Sequence, residues 1–286
     1  MEAILSLTNM STINAVIEAF SYPFFLRALA IGSLISIISA ILGIYVVLRK
    51  ESLIGHTIAD ISFLGIAIGL ALGTSLDITT IVVAILAAFI IAALQNTGKF
   101  SHDSVLAFSA EISLAVAIFV ISRLEGYRID LLQYLFGDIL GISPRDVWIA
   151  AILTPTVLLV LYAYRHKILQ VTFNEELAMS SGTNTLLVNT LFTVLVAITI
   201  ATGIKIVGII LIAAFLIIPA NIAKTVAASF RQTVFIAAGA AAIATFLGLI
   251  LSYVLDTPSG AMIVVTLGGM LLFTSVAKRA LDLLAR

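Results

Sequence analysis

The chain has 286 residues, 62% of them hydrophobic and 10% charged, with a mean hydropathy of +1.22. A soluble globular domain is about half apolar and about a quarter charged, so this is an integral membrane protein. Fifteen basic residues balance 15 acidic ones, which leaves no case for nucleic-acid binding. The absence of cysteine removes disulfides, iron–sulfur clusters and thiolate metal sites.

The apolar runs are continuous, as in "TIVVAILAAFIIAAL". Strands of a closed barrel alternate apolar and polar residues, so the spans are helices and the fold class is an all-α polytopic bundle. The first 20 residues hold Glu2 and Glu18 and neither Lys nor Arg, and so lack the basic start of a cleaved signal peptide. Nine segments are long enough to cross a bilayer: 24–48, 53–73, 78–96, 104–123, 146–164, 185–203, 206–227, 233–255 and 258–277. The breaks near 203–206 and 255–258 are very short, which leaves eight spans, with some segments broken or re-entrant, as the alternative. With nine spans, one set of loops holds Arg49, Lys50, Lys99, Arg165, Lys167, Lys224, Arg231, Lys278, Arg279 and Arg286. The other side holds Arg27, Arg123, Arg128, Arg145 and Lys205. Basic loops stay inside, which puts the N-terminus outside and the C-terminus in the cytoplasm.

Residues 1–286 form one transmembrane domain with no soluble module. Two longer connections stand out. On the outer side, "LEGYRIDLLQYLFGDILGIS" (124–143) contains "LLQYLFGDIL", apolar enough to dip into the membrane as a short re-entrant helix. On the inner side lies "RHKILQVTFNEELAMSSGTN" (165–184).

The segment "LIGHTIADISFLGIAIGLALG" (53–73) carries two ionisable residues where lipid penalises them. At about 100° per residue, His56 and Asp60 fall one turn apart on one face. Gly65, Gly69 and Gly73 fall on the opposite side, a small-xxx-small surface that lets a neighbouring helix approach closely. Imidazole plus carboxylate is a usual ligand set for Zn, Mn or Fe in the divalent state. Two ligands cannot complete a site, so other helices, a second subunit or water must supply the rest. The spacing alone leaves three readings open: a transported-ion site, a proton relay, and a structural pair plugging a polar hole in the bundle.

Glu111, mid-span in "AFSAEISLAVAIF", is either a third oxygen ligand on the pathway or a protonated carboxyl bonded to a neighbouring Ser or the backbone. Lys205 and Asp256 sit near outer ends and are expected to snorkel to water. His102 and His166 are expected to be ordinary solvated loop residues. No G-x-x-x-x-G-K-[ST], G-x-S-x-G or H-E-x-x-H occurs, and nothing argues for an enzyme in its own right. In "FNEELAMSSGTN", Asn174 is a plausible N-cap with Glu175 and Glu176 in the first turn, and Gly182 a stop. That predicts a short helix over 174–181, either a docking element or an amphipathic connector.

Several segments together resemble the permease subunit of manganese/zinc/iron ABC importers: "VVLRKESLIGHTIADISFLGIAIGL", "YLFGDILGIS", "FNEELAMSSG", "VGIILIAAFLIIPANIAK" and "GLILSYVLDTPSGAMIVV". They occur in order over about residues 24–275 and include the P-A-x-x-A at Pro219–Ala223 and the P-S-G at Pro258–Gly260. The resemblance implies a homodimeric or paired permease in the cell membrane. It implies a cytoplasmic ATPase partner and an external metal-binding lipoprotein or periplasmic protein. A divalent metal would be the substrate, with no permanently bound cofactor. The segment from Phe173 matches the family's cytoplasmic coupling helix, which assigns Phe173, Asn174, Glu175, Glu176, Leu177, Ala178 and Gly182 to ATPase docking. The family's second helix usually reads Gly-Asp-x-x-x-His, whereas here the two positions are His56 and Asp60, with the residue types swapped. Two rivals remain: the same scaffold importing a metal chelate with His56 and Asp60 as gate residues, and a proton-coupled carrier with Asp60 and Glu111 as a relay.

Overall fold

The computed structural model describes residues 18–124, 137 and 142–284. In chain order its helices are α1 (Pro23–Leu48), α2 (Ile54–Leu72), α3 (Leu76–Asn96), α4 (His102–Ser122), α5 (Pro144–Phe173), α6 (Glu175–Ser180), α7 (Thr185–Val207), α8 (Ile209–Val226), α9 (Phe230–Leu255) and α10 (Ser259–Leu284). No strand occurs among the described residues. Nine of these helices are long and apolar enough to cross a membrane; the tenth, α6, has six residues. The stretch 131–140, expected as a re-entrant helix, lies almost wholly outside the described residues, as does the N-terminal 1–17.

Local chemistry sets the helix ends. Pro23 opens α1. The Ser143 hydroxyl accepts from the Asp146 amide at 3.3 Å while Asp146 Oδ2 accepts from the Ser143 amide at 2.9 Å, a reciprocal box that starts α5. Gly73 at φ +63° ends α2 in the left-handed region that favours glycine. A single residue, Gly208 at φ +86°, separates α7 from α8. Asp256, at φ +51°, caps α9 and is exposed.

The bundle has an inside and an outside. Most of α1, α2 and α7 is buried, whereas α3, α4, α5 and α10 present large apolar side chains outward, among them Phe89, Phe119, Leu159 and Phe273. Close crossings depend on residues without a side chain. A Cβ on Gly43 of α1 would collide with the Leu216 carbonyl of α8, and one on Gly65 of α2 would come within 2.7 Å of the Thr80 Cα of α3.

The glycine surface of α2 is therefore filled from within the chain: Gly65 and Gly69 both abut Thr79–Thr80 of α3. Gly73 differs from the expected packing role. Nothing lies within 4 Å of where its Cβ would be, and its work is the left-handed cap.

Helix α5 also departs from the sequence expectation of a span ending near 164. It continues through 165–173, because the basic residues there interrupt the apolar run but not the helix. Ile168 and Val171 keep that extension packed on the core.

Loops 49–53, 97–101, 174–184 and 227–229 share one end of the bundle, called here the α6 end. Arg49 reaches Thr172 and Asn189, His102 reaches Glu51, and Ala227–Ser229 line a cavity with Val47 and Leu48. At the opposite end Arg27 Nη1 donates to the Ile142 carbonyl at 2.9 Å, joining α1 to the entry of α5.

Gly43→Ala is expected to destabilise the detergent-solubilised protein by about 1–3 kcal/mol, the usual cost of overpacking. Gly239→Ala, with no atom within 4 Å of the new methyl, should change stability by under about 0.5 kcal/mol. Thermal unfolding followed by intrinsic fluorescence compares the two.

Candidate functional site

Helix α2 is one of the most buried spans and the least apolar of the nine. Its environment is protein on most sides: Gly55 faces Leu216 of α8, and the Thr57 hydroxyl lies 3.0 Å from both the Leu53 carbonyl and the Leu106 carbonyl of α4. One strip stays open. The His56 side chain, two residues into α2 from the α6 end, is 65% exposed, and the Asp60 side chain one turn deeper is 9% exposed. Further along the same strip Phe63 and Ala67 are buried. The strip is thus open at the imidazole and closed beyond the carboxylate, about 9 Å of helix rise from the first residue of α2.

His56 Nε2 and Asp60 Oδ2 are 3.5 Å apart. That is beyond a good N–H···O hydrogen bond, so the two donor atoms converge without being consumed by each other. Glu111 is exposed on α4, about 14 Å along that helix from its start. Among the described residues no group of three or more His, Asp or Glu is gathered closely enough to hold a metal. One chain therefore brings His56 and Asp60 together and leaves Glu111 apart.

Helix α6 has the ends its sequence suggests. The Asn174 side chain accepts from the Leu177 amide at 2.9 Å, and Gly182 at φ +81° follows the last turn. Ala178 is buried against the bundle, while Phe173, Leu177 and Met179 are 74%, 67% and 53% exposed. Glu176 is exposed, and Glu175 is half-buried and accepts from Asn189 Nδ2 at 3.1 Å. The helix is thus anchored on one side and, with Phe173 just before it, presents three apolar side chains on the other.

His102 is not the free loop residue the sequence suggested. It is the first residue of α4, and its Nδ1 lies 3.3 Å from Glu51 Oε1. Glu51 belongs with Arg49, Thr172, Asn189 and Glu175 to a polar cluster at the α6 end. The available signal was an Arg and a Glu pressed against the end of an apolar run. The side chains of Lys205 and the positions of Arg128 and Arg286 lie outside the described residues.

Nine apolar spans among the described residues define a multi-pass membrane protein, and its polar strip lies on one of the most buried of them. A family model described as the ABC 3 transport family matches residues 21–278, and the chain belongs to that family. It is 33% identical over 238 residues, 83% of this chain and 91% of the relative, to the high-affinity zinc uptake system membrane protein ZnuB of Haemophilus influenzae. It is 30% identical over 245 residues, 86% and 87% of the two chains, to the manganese import system permease protein ScaB of Streptococcus parasanguinis. Among solved structures, PsaBC from Streptococcus pneumoniae in complex with Fab superposes with a TM-score of 0.82 at 29% identity, covering 95% of this chain and 99% of that one.

Asn174→Ala removes the N-cap of α6, a loss of about 1 kcal/mol of local helix stability. Amide hydrogen exchange over 175–179 is expected to quicken about fivefold, with the spans unaffected, as read by mass spectrometry.

Proposed function

We propose that this chain is the permease of an ATP-driven importer that carries a divalent transition metal (Zn, Mn or Fe) across the cell membrane. The observation that carries the reading is the His56–Asp60 pair. Two ligand atoms each about 2.1 Å from a four-coordinate ion stand about 3.4 Å apart, and Nε2 and Oδ2 are separated by 3.5 Å. Metal uptake and import by relatives at 33% and 30% identity support the same substrate class. The metal is cargo, so a half-site is an advantage: two ligands capture an ion without trapping it.

A second copy of the chain would complete the site. His56 and Glu111 are exposed on membrane-spanning helices of one chain, and ionisable groups facing lipid are costly. The glycine face of α2 is already occupied by α3, so the partner copy covers the His56–Glu111 side. Pairing two chains then offers two imidazoles and up to four carboxylates around one axis.

The α6 end is cytoplasmic in this reading, because nine of the 13 described Lys and Arg residues lie toward it. A cytoplasmic ATPase subunit docks on Phe173, Leu177 and Met179, with Asn174, Glu175, Glu176, Ala178 and Gly182 shaping the docking helix. An external metal-binding protein delivers the ion at the opposite end. The ion passes to the Asp60 carboxylate oxygen and His56 Nε2, the two ligand atoms that converge on α2. The covered strip at Phe63 and Ala67 keeps the pathway shut above the pair, and ATP-driven movement at α6 changes which side of it is open.

Uptake of Zn, Mn and Fe, each assayed separately in vesicles holding the permease and its ATPase, tests this. His56→Ala with Asp60→Ala is expected to lower uptake at least about tenfold, a loss of metal-site contacts. The exchange His56→Asp with Asp60→His should retain uptake and shift the preferred metal. Unchanged uptake and preference in both variants would remove these residues from the pathway.

A further inference from the structure

Arg49, directly after α1, is enclosed: its side chain is 5% exposed and that of its partner Glu51 is 8% exposed. Its guanidinium meets α5, α7 and the turn after α1. Nε donates to Thr172 Oγ1 of α5 at 3.2 Å, and Nη2 donates to Asn189 Oδ1 of α7 at 2.6 Å. Nη1 is 3.9 Å from Glu51 Oε2, and the group lies 4.5 Å over the Phe192 ring. Burial pushes the Arg49 pKa down, while Glu51 and Glu175 push it back up.

The cluster has two arms. On one, Asn189 spends its carbonyl on Arg49 and its amide on Glu175 Oε1 at 3.1 Å, so one side chain connects the guanidinium to α6. On the other, Glu51 Oε1 meets His102 Nδ1, the first residue of α4, at 3.3 Å. The Glu51 carbonyl accepts from the Ile54 amide at 2.9 Å, which is the first residue of α2. The turn between is tight, with Lys50 at φ +60°, so Glu51 cannot shift without carrying the first turn of α2.

We propose that the Arg49 cluster is the joint through which displacement of α6 reaches α2 and α4, with Asn189 as the link on the α6 side and Glu51 as the link on the helix side. The inference rests on the reading that a partner drives the permease through α6. The two helices moved are those that carry His56, Asp60 and Glu111, and both are held at the end nearest those residues. Stability alone gives no reason for this arrangement, because a buried ion pair is often replaced by apolar residues at no net loss. Arg49, Glu51 and Asn189 are positioning residues: their hydrogen-bond and ion-pair partners are one another, Thr172, His102 and Glu175, not His56 or Asp60.

The test uses the whole importer, permease with its ATPase, in proteoliposomes, and measures metal uptake and ATP hydrolysis in the same preparation. Asn189→Asp keeps an acceptor for Arg49 but sets a second carboxylate against Glu175 and removes the donor. Asn189→Leu removes both contacts. Each is expected to lower the metal moved per ATP hydrolysed by about tenfold, within the usual range of coupling between sites, with ATPase co-purification unchanged and the ratio taken per folded protein. A merely structural role predicts that uptake and hydrolysis fall together with the amount of folded protein, so that their ratio stays at the wild-type value. That result, or no change in either variant, overturns the proposal. If one variant fails to fold, the ratio in the other decides. Failure of the wild-type importer to move any metal would instead overturn the functional reading itself.

Discussion

In hydrocarbon, a backbone amide or carbonyl must find its partner inside its own helix, and that requirement governs this molecule. It turns each apolar run into a helix and gives hydroxyls on those helices a ready acceptor one turn back. The Ser62, Thr199 and Thr245 hydroxyls, all buried, donate to the carbonyls of Ile58, Leu195 and Ala241 at 2.7–2.8 Å. Lipid tails are as apolar as leucine, so burial alone does not choose which helices go inside. Close contact at small residues does: Gly43 against Leu216 and Gly65 against Thr80 draw α1, α2, α3 and α8 into backbone proximity.

Groups that no helix can satisfy internally gather near one end. The open strip of α2, the Arg49 cluster and the apolar knobs of α6 all lie toward the α6 end. A long α5 makes this possible. Its 30 residues give a rod of about 45 Å, longer than the roughly 30 Å of hydrocarbon, and Thr172 near its end reaches Arg49. The His56–Asp60 pair, the Arg49 cluster and α6 are therefore neighbours, and Asn189 connects the cluster to α6 by hydrogen bonds.

The candidate site was half visible in the sequence. His56 and Asp60 one turn apart declare themselves by helical spacing, and Asn174 and Gly182 bracket α6 by ordinary cap chemistry. Glu111 could be named but not placed, because a single carboxylate in a span has no periodic partner. His102 looked like a loop residue because its partner, Glu51, is 51 positions away. The Arg49 cluster was illegible for the same reason: its contacts span 123 and 140 positions, and no local pattern encodes them.

What the sequence determined by itself is the set of spans, their helical nature and the polar pair on α2. These follow from hydropathy and a 3.6-residue period, which are properties of consecutive residues. Only the tertiary structure decided that the glycine face packs on α3 rather than on another chain, that the strip beyond Asp60 is closed, and that one guanidinium ties α5, α7 and the α1–α2 turn together, with α6 joined through Asn189. Those outcomes depend on which helix lies beside which, and in a medium as apolar as most of the helix surfaces, that choice is made by shape and by a few long-range hydrogen bonds.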